Sequence, residues 1–301
     1  VKNTEIFERL SGTQHVVGLS LCGSHRLGVE DRYSDVDVWV FVEPETPLSD
    51  SYCLDNIIPT GLGIELLSEG RDDTLVPFSV YNTLTADGIL NLKILSLQVL
   101  TEFVQAAPSF DRGYLDDLEN YHTMHVMWEH EDFITLHQRV LRERIVEPFT
   151  PQLASEWVSR YASTYWRSAF QGYLRQDPHS WRLLTTDMIK YLVDLCHLAA
   201  GRLPAPRKWA LADTYLTALP QHRTLRRCLD AAASCDVTDR RQVLGVYQEL
   251  AAAEVDILTL DHREFWWRSV FHERMRNLAV PGPIADLAMT APLPLRLQPV
   301  R

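Results

Sequence analysis

The sequence predicts an α+β fold, with a small mixed-sheet head followed by a larger all-helical bundle. Three observations lead there. Two β-prone runs, residues 16–22 (VVGLSLC) and 35–42 (DVDVWVFV), stand near the start of the chain. From residue 83 onward the apolar residues recur mostly at helical spacing. The composition, 46% hydrophobic and 23% charged over 301 residues, suits a globular chain of one large or two ordinary domains.

Taken in order, residues 2–10 read as a short amphipathic helix with Ile6, Phe7 and Leu10 on one side, stopped at Gly12. Residues 16–22 read as a buried strand that runs directly into Gly23 and Ser24. Residues 35–42 alternate strictly: Val36, Val38, Val40 and Val42 share one face, and Asp35, Asp37, Trp39 and Phe41 the other. A third strand is expected at 62–67 between Gly61 and Gly70, and a fourth at 74–80, where Pro77 would confine it to an edge. Residues 89–104 read as a helix, and further helices are expected around 113–147, 151–175, 180–201, 206–218, 222–233 and 237–276. Pro148, Pro151, Pro178, Pro204, Pro206 and Pro220 punctuate them as loop or helix-start residues. The segment after Val280 is proline-rich and lacks periodicity, as an extended arm or a disordered tail would. The expected division is a catalytic head at 1–105, a helical domain at 106–280 and a tail at 281–301.

Bulk properties narrow the function classes. No apolar run approaches the roughly 18 residues of a membrane span, and the start lacks the basic-then-apolar design of a signal peptide, so a cytoplasmic protein is expected. The five cysteines include no C-x-x-C pair, which points to buried free thiols rather than zinc or disulfides. A formal net charge of −11 repels phosphate backbones and disfavours nucleic acid as a partner.

Chemistry concentrates in residues 22–42. A Gly-Ser pair after a buried strand lets the chain turn sharply and leaves backbone amides and the Ser24 hydroxyl to bind phosphate oxygens. Asp35 and Asp37, at i and i+2 on a strand, project from one face. Two carboxylates that close stay ionised cheaply only with a cation between them, and magnesium, hard and oxygen-liganded, is the natural one. The alternative is a solvated strand face, but the order of strand, Gly-Ser, spacer and alternating strand is what a phosphate-metal site requires.

This segment resembles the signature of the DNA polymerase beta-type nucleotidyltransferase superfamily: an apolar strand, G-S, a spacer, then D-h-D on the next strand. The layout of a small head before a helical bundle is similar to that of antibiotic (aminoglycoside) nucleotidyltransferases with a helical C-terminal domain. The resemblance implies a magnesium-dependent transfer of a nucleoside monophosphate, AMP from ATP foremost, to a hydroxyl of a small and cationic acceptor. It further implies a third acid on a later strand, for which Glu65 is the best match, one or two Mg2+ ions held by Asp35, Asp37 and Glu65, and a general base among these acids or in the helical body. Lys208, in a stretch that looks like the P-x-x-K-W element of such helical domains, would reach the triphosphate. Arg26, following Gly23 and Ser24, is a candidate for phosphate or for a helix surface.

The acceptor is expected at the domain boundary, with the acid- and aromatic-rich stretch 111–132 as one wall and Tyr121, Trp128, Glu129 and Glu131 as its candidate contacts. The competing interpretation of that stretch is an acidic helix face over a core stripe. Two other functions remain open: nucleotidyl transfer to a protein or tRNA, as in toxin-like members, and a non-catalytic nucleotide-binding module.

Overall fold

The structure, a computed structural model, describes residues 2–28, 30, 34–59, 65–72, 78–164, 172–173, 175–204 and 211–258. The chain divides into two compact units, Val1–Pro108 with Asp117–Ile145, and Ser109–Asp116 with Val146–Arg301.

The first unit is built on strands β1 (Val16–Leu21), β2 (Val36–Val42), β3 (Glu65–Asp72), β4 (Phe78–Thr85), β5 (Gly88–Ser96) and β6 (His125–Glu129). They form one mixed sheet in the order β3-β4-β5-β2-β1-β6. Only β2 and β5 pair in parallel; the other pairings are antiparallel. Helices α1 (Asn3–Ser11), α2 (Gly23–Leu27), α3 (Asp50–Asn56), α4 (Gln98–Gln105), α5 (Arg112–Thr123) and α6 (Phe133–Leu141) accompany the sheet, with α5 running on from the second unit.

One face of the sheet carries the core. Leu19, Val38, Val40, Val42, Leu90, Leu92, Ile94 and Tyr81 are buried there with Ile6 and Leu10 of α1 and Cys53 of α3. Full burial of each such aliphatic side chain contributes about 1.5–3 kcal/mol. The inner half of the opposite face is covered too: Tyr121 of α5 lies 4.9 Å, centroid to centroid, from Trp39 and from Phe103 of α4. The outer half of that face, where Asp35 and Asp37 stand, is only partly buried.

The α+β class and the mixed sheet are as the sequence suggests, and three local readings change. Residues 89–104 are not one helix: β5 occupies Gly88–Ser96 and α4 follows. The apolar residues there match both periods, and Leu90, Leu92 and Ile94 are drawn into strand spacing because β5 fills the position between β2 and β4. Residues 113–147 likewise break into α5, β6 and α6, because the β-prone Val126 and Trp128 pair with Ser20 and Leu19 along the free edge of β1. The third and fourth strands lie further along the chain than expected, at Glu65–Asp72 and Phe78–Thr85; residues 60–64 and Pro77 lie outside the described residues.

The described part of the second unit is helical: α7 (Glu147–Thr164), α8 (Pro178–Ala199), α9 (Asp213–Thr217), α10 (His222–Ser234) and α11 (Arg240–Leu258), with the π-helical turn Arg142–Val146 leading into α7. Pro151 falls inside α7 rather than at its start. Pro178 opens α8 as expected, with Asp177 as N-cap accepting from the amides of His179 and Ser180. Two buried polar pairs cross this unit: Trp157 Nε1 donates to Asp194 at 2.8 Å, and the Tyr161 hydroxyl donates to Glu254. All five cysteines are buried free thiols. Among the described residues no helix is long and apolar enough to cross a membrane. Trp266, Trp267 and the tail 281–301 lie outside the described residues.

Candidate active site

The site begins where β1 ends. Cys22, extended and buried, donates its backbone N–H to the carbonyl of Asp37 at 2.9 Å, which ties the mouth of β1 to the start of β2. Gly23 then turns the chain at φ +62° and opens α2. A side chain is excluded here twice over. Left-handed backbone is costly for other residues, and a Cβ on Gly23 would lie 1.9 Å from Oδ2 of Asp37 and 2.9 Å from its Cγ. The missing side chain is the room in which the Asp37 carboxylate sits. Ser24 follows in the first turn of α2 and is almost wholly buried.

The strand registers lay out the face that Asp37 shares. Asp37 is level with Asn91 of β5, and Asn91 with Asn82 of β4; Trp39 is level with Lys93. Asp35 lies one residue before the Val36–Leu90 pair, beside Ile89 at the rim. Ile89 and its cross-strand partner Leu84 are among the exposed large hydrophobic residues. Lys93 holds its ammonium 3.6 Å from the ring centroid of Phe78 and 5.0 Å from that of Trp39, a cation–π arrangement.

Behind α2 lies a buried ion pair. Arg26 Nη2 donates to Glu119 Oε2 of α5 at 2.8 Å, both side chains less than a tenth exposed, and Thr123 adds a hydroxyl donor to the same carboxylate at 3.1 Å. Among the described residues Arg26 Nε has no hydrogen-bond partner. Beside it, burial first and then the positive charges of Arg142 and Arg26 hold His122 down to about 4, so its imidazole is neutral at pH 7. The charges meet around Cys22. Burial pushes that thiol up, Arg26 and Lys93 oppose the shift, and Asp37 and Glu119 add to it.

The expected site residues fare differently. Asp35, Asp37, Gly23 and Ser24 are brought to one turn-and-strand junction. Glu65 is not near them and must be corrected. Its strand β3 is separated from β2 by β5 and β4, and at about 4.8 Å per strand it stands about 14 Å from Asp37. That is too far to share an ion bound at roughly 2 Å from each ligand. Arg26 is spent on Glu119 rather than presented to a phosphate. Lys208 lies outside the described residues.

The four acceptor candidates are dispersed. Tyr121 is buried between Trp39 and Phe103, with its hydroxyl pushed far up by burial. Trp128 is level with Leu19 and packs on the sheet core. Glu129 caps α6, accepting from the amides of Ile134 at 2.7 Å and Thr135 at 3.1 Å. Glu131 is exposed, with Oε1 3.8 Å from Nδ1 of His130. Residues that sequence reasoning missed are Asn91, Lys93 and Glu119. The first two had a signal, polar residues alternating with leucine and isoleucine in GILNLKILS, hidden by the helical interpretation.

The donor set fits a hard divalent ion: two partly exposed carboxylates two residues apart where β2 begins, one of them seated in a cradle that a Cβ would fill. Among the described residues no group of three or more His, Cys, Asp or Glu side chains gathers as a metal site.

No protein-family profile matches the chain, and no curated protein matches it. Among solved structures, a nucleotidyltransferase-like protein from Exiguobacterium sibiricum is similar at 14% sequence identity and a TM-score of 0.38, over 95% of this chain and 82% of the other. A likeness that loose leaves the function to be argued from the site itself.

Proposed function

We propose that the chain is a magnesium-dependent nucleotidyltransferase that moves a nucleoside monophosphate, AMP from ATP foremost, onto a hydroxyl of a small molecule. The observation that carries this reading is the Asp37 carboxylate seated against the Gly23 turn, with Asp35 two residues before it, immediately ahead of β2. An acidic pair and a tight glycine turn, joined by the Cys22–Asp37 backbone hydrogen bond, are the two halves of a site for a metal-bound phosphate chain.

In the reaction the acceptor oxygen bonds to the α-phosphorus, the α–β bridging bond breaks, pyrophosphate leaves and the hydroxyl proton passes to solvent. A divalent ion at the acidic pair would neutralise the triphosphate and the departing pyrophosphate. Asp35 and Asp37 hold that charge in place. The amides that open α2 and the Ser24 hydroxyl orient the phosphate oxygens, and the buried Arg26–Glu119 pair fixes α2 against α5 so that the turn does not move under load. Lys208 is assigned to the triphosphate by resemblance. The acceptor is a hydroxylated small molecule. Its cationic character loses the support of Tyr121 and Glu129, which serve the packing and the α6 cap instead.

The test is a thermal-shift scan of ATP, GTP, CTP and UTP, each with and without magnesium, on the wild type and on Asp37→Asn. A nucleotide at a hundredfold excess over its Kd stabilises the native state by about 2.7 kcal/mol. A magnesium-dependent shift with one nucleotide in the wild type, lost in Asp37→Asn, is expected. An equal shift in both proteins refutes the site, and no shift in either refutes nucleotide binding by the free enzyme.

A further inference from the structure

The sheet face that Asp37 occupies continues past it onto β5 and β4. Asp37 is level with Asn91, and Asn91 with Asn82. One step nearer the β4–β5 turn, Ile89 is level with Leu84. Strand alternation keeps these four side chains away from the core, since Leu90, Leu92 and Tyr81 beside them in sequence are buried in it. Asn82 and Asn91 are half-buried, whereas Leu84 is 47% and Ile89 41% exposed. Two amides therefore stand beside Asp37, and two exposed aliphatic side chains stand beyond them. From strand spacing and rise, Ile89 lies about 8 Å and Leu84 about 12 Å from Asp37, backbone to backbone. Exposed apolar surface rimmed by polar groups is what a ligand-binding groove presents.

The stereochemistry of the transfer decides which ligand reaches this part of the face. The Gly23 turn abuts the Asp37 carboxylate from the β1 side, and β5 flanks β2 on the other. The amides that open α2 act best where charge develops, on the departing pyrophosphate. Displacement at phosphorus is in line, so the attacking oxygen arrives opposite the leaving one. With pyrophosphate on the β1 side, the acceptor hydroxyl approaches across β5. Its O–P bond forms as the bond to pyrophosphate breaks, and its proton passes to solvent.

We propose that Asn91, Asn82, Ile89 and Leu84 form the acceptor subsite, and that the acceptor is a neutral, hydroxylated ring of the sugar or cyclitol class. This rests on the nucleotidyltransferase reading above and names the acceptor that reading leaves open. A side-chain amide offers both a donor and an acceptor, the match for a hydroxyl, and adds no charge. The Leu84–Ile89 pair offers an apolar shelf to the C–H face of a ring. A flexible polyol has no such face, and an ammonium group loses hydration against aliphatic carbon without recovering it.

The experiment is saturation-transfer NMR on the full chain with Mg2+ and α,β-methylene-ATP, a donor that cannot react. The probes are methyl glucoside, its amino-sugar counterpart methyl glucosaminide, glycerol and cyclohexanol, the last reporting the shelf alone. Methyl glucoside is expected to bind more tightly than glycerol or methyl glucosaminide, with the strongest transfer to its ring C–H protons. Leu84→Thr/Ile89→Thr keeps residues suited to strands and should weaken methyl glucoside about tenfold, the low end for loss of apolar contact in a pocket. Asn91→Ala should weaken it about fivefold, the scale of one hydrogen bond, without weakening cyclohexanol. Tighter binding of methyl glucosaminide or glycerol, no binding of methyl glucoside, or either variant binding it within twofold of wild type overturns the proposal. The nucleotide thermal-shift scan separates the two levels of inference. If the magnesium-dependent shift is present and methyl glucoside does not bind, the acceptor assignment alone fails; if the shift is absent, the proposed function fails first.

Discussion

Replacing Gly23 by alanine tests the geometry on which the site depends. The added methyl forces a residue with a Cβ into φ +62°, at a cost of about 1–2 kcal/mol. It also places a carbon 1.9 Å from Asp37 Oδ2 and 2.9 Å from Cγ, an overlap that the carboxylate must escape by rotating or by pushing β2, at a further cost of about 1–3 kcal/mol. Gly23→Ala should therefore destabilise the protein by about 2–5 kcal/mol, read as a lower urea midpoint at unchanged slope. The two contributions separate in a double-mutant cycle. In an Asp37→Ala background the nearest remaining atom is the Cβ of residue 37 at 3.2 Å, so the same substitution should cost only the backbone strain, about 1–2 kcal/mol. If Gly23→Ala costs the same in both backgrounds, the carboxylate is not seated against this turn and the reasoning fails.

Two other consequences concern residues outside the acidic pair. Glu129→Ala uncaps α6, removing the acceptor for the Ile134 and Thr135 amides; a stability loss of about 1 kcal/mol with unchanged KM for nucleotide and acceptor is expected, whereas a raised acceptor KM at unchanged stability would return Glu129 to the substrate. Glu254 is buried and pushed up from 4.5 to about 7, its Oε1 accepting from Tyr161. The folded state thus binds more protons than the unfolded one between those two values, so stability falls as pH rises through that window. At about 1.4 kcal/mol per pH unit the loss reaches about 3 kcal/mol above pH 7. Glu254→Gln removes the titration and keeps an acceptor for Tyr161; relative to wild type it should gain that amount between pH 4 and pH 8 in urea melts, and parallel profiles for the two proteins would refute the assignment.

The acidic pair and its turn were legible because they are local. Strand periodicity puts Asp35 and Asp37 on one face whatever the fold does elsewhere, and a Gly-Ser pair after an apolar strand can only turn. The choice of Glu65 failed for a different reason. Its isolation among apolar residues is a local signal, but its distance from Asp37 depends on sheet order, and the spacing of β5, which completes the centre of the sheet, also fits a helix. With β5 and β4 between them, the two strands cannot share a site. Arg26 and Glu119 show the same limit: 93 residues apart in sequence and 2.8 Å apart in space, they form a pair that no spacing rule anticipates. The stretch 111–132 looked like a binding wall because acids and aromatics alternate there, yet packing takes Tyr121 into the core and turns Glu129 into a cap.

What the sequence by itself determined is the α+β class, the turn at Gly23 and the shared face of Asp35 and Asp37, since each follows from backbone preferences acting over a few residues. Only the tertiary structure decided that Asn91 and Lys93 flank the acids, that Arg26 belongs to Glu119 and that Glu65 stands apart. Those relations arise from which strands pair and which helices cover them, and that choice is made by burial summed over the whole sheet rather than by any one segment.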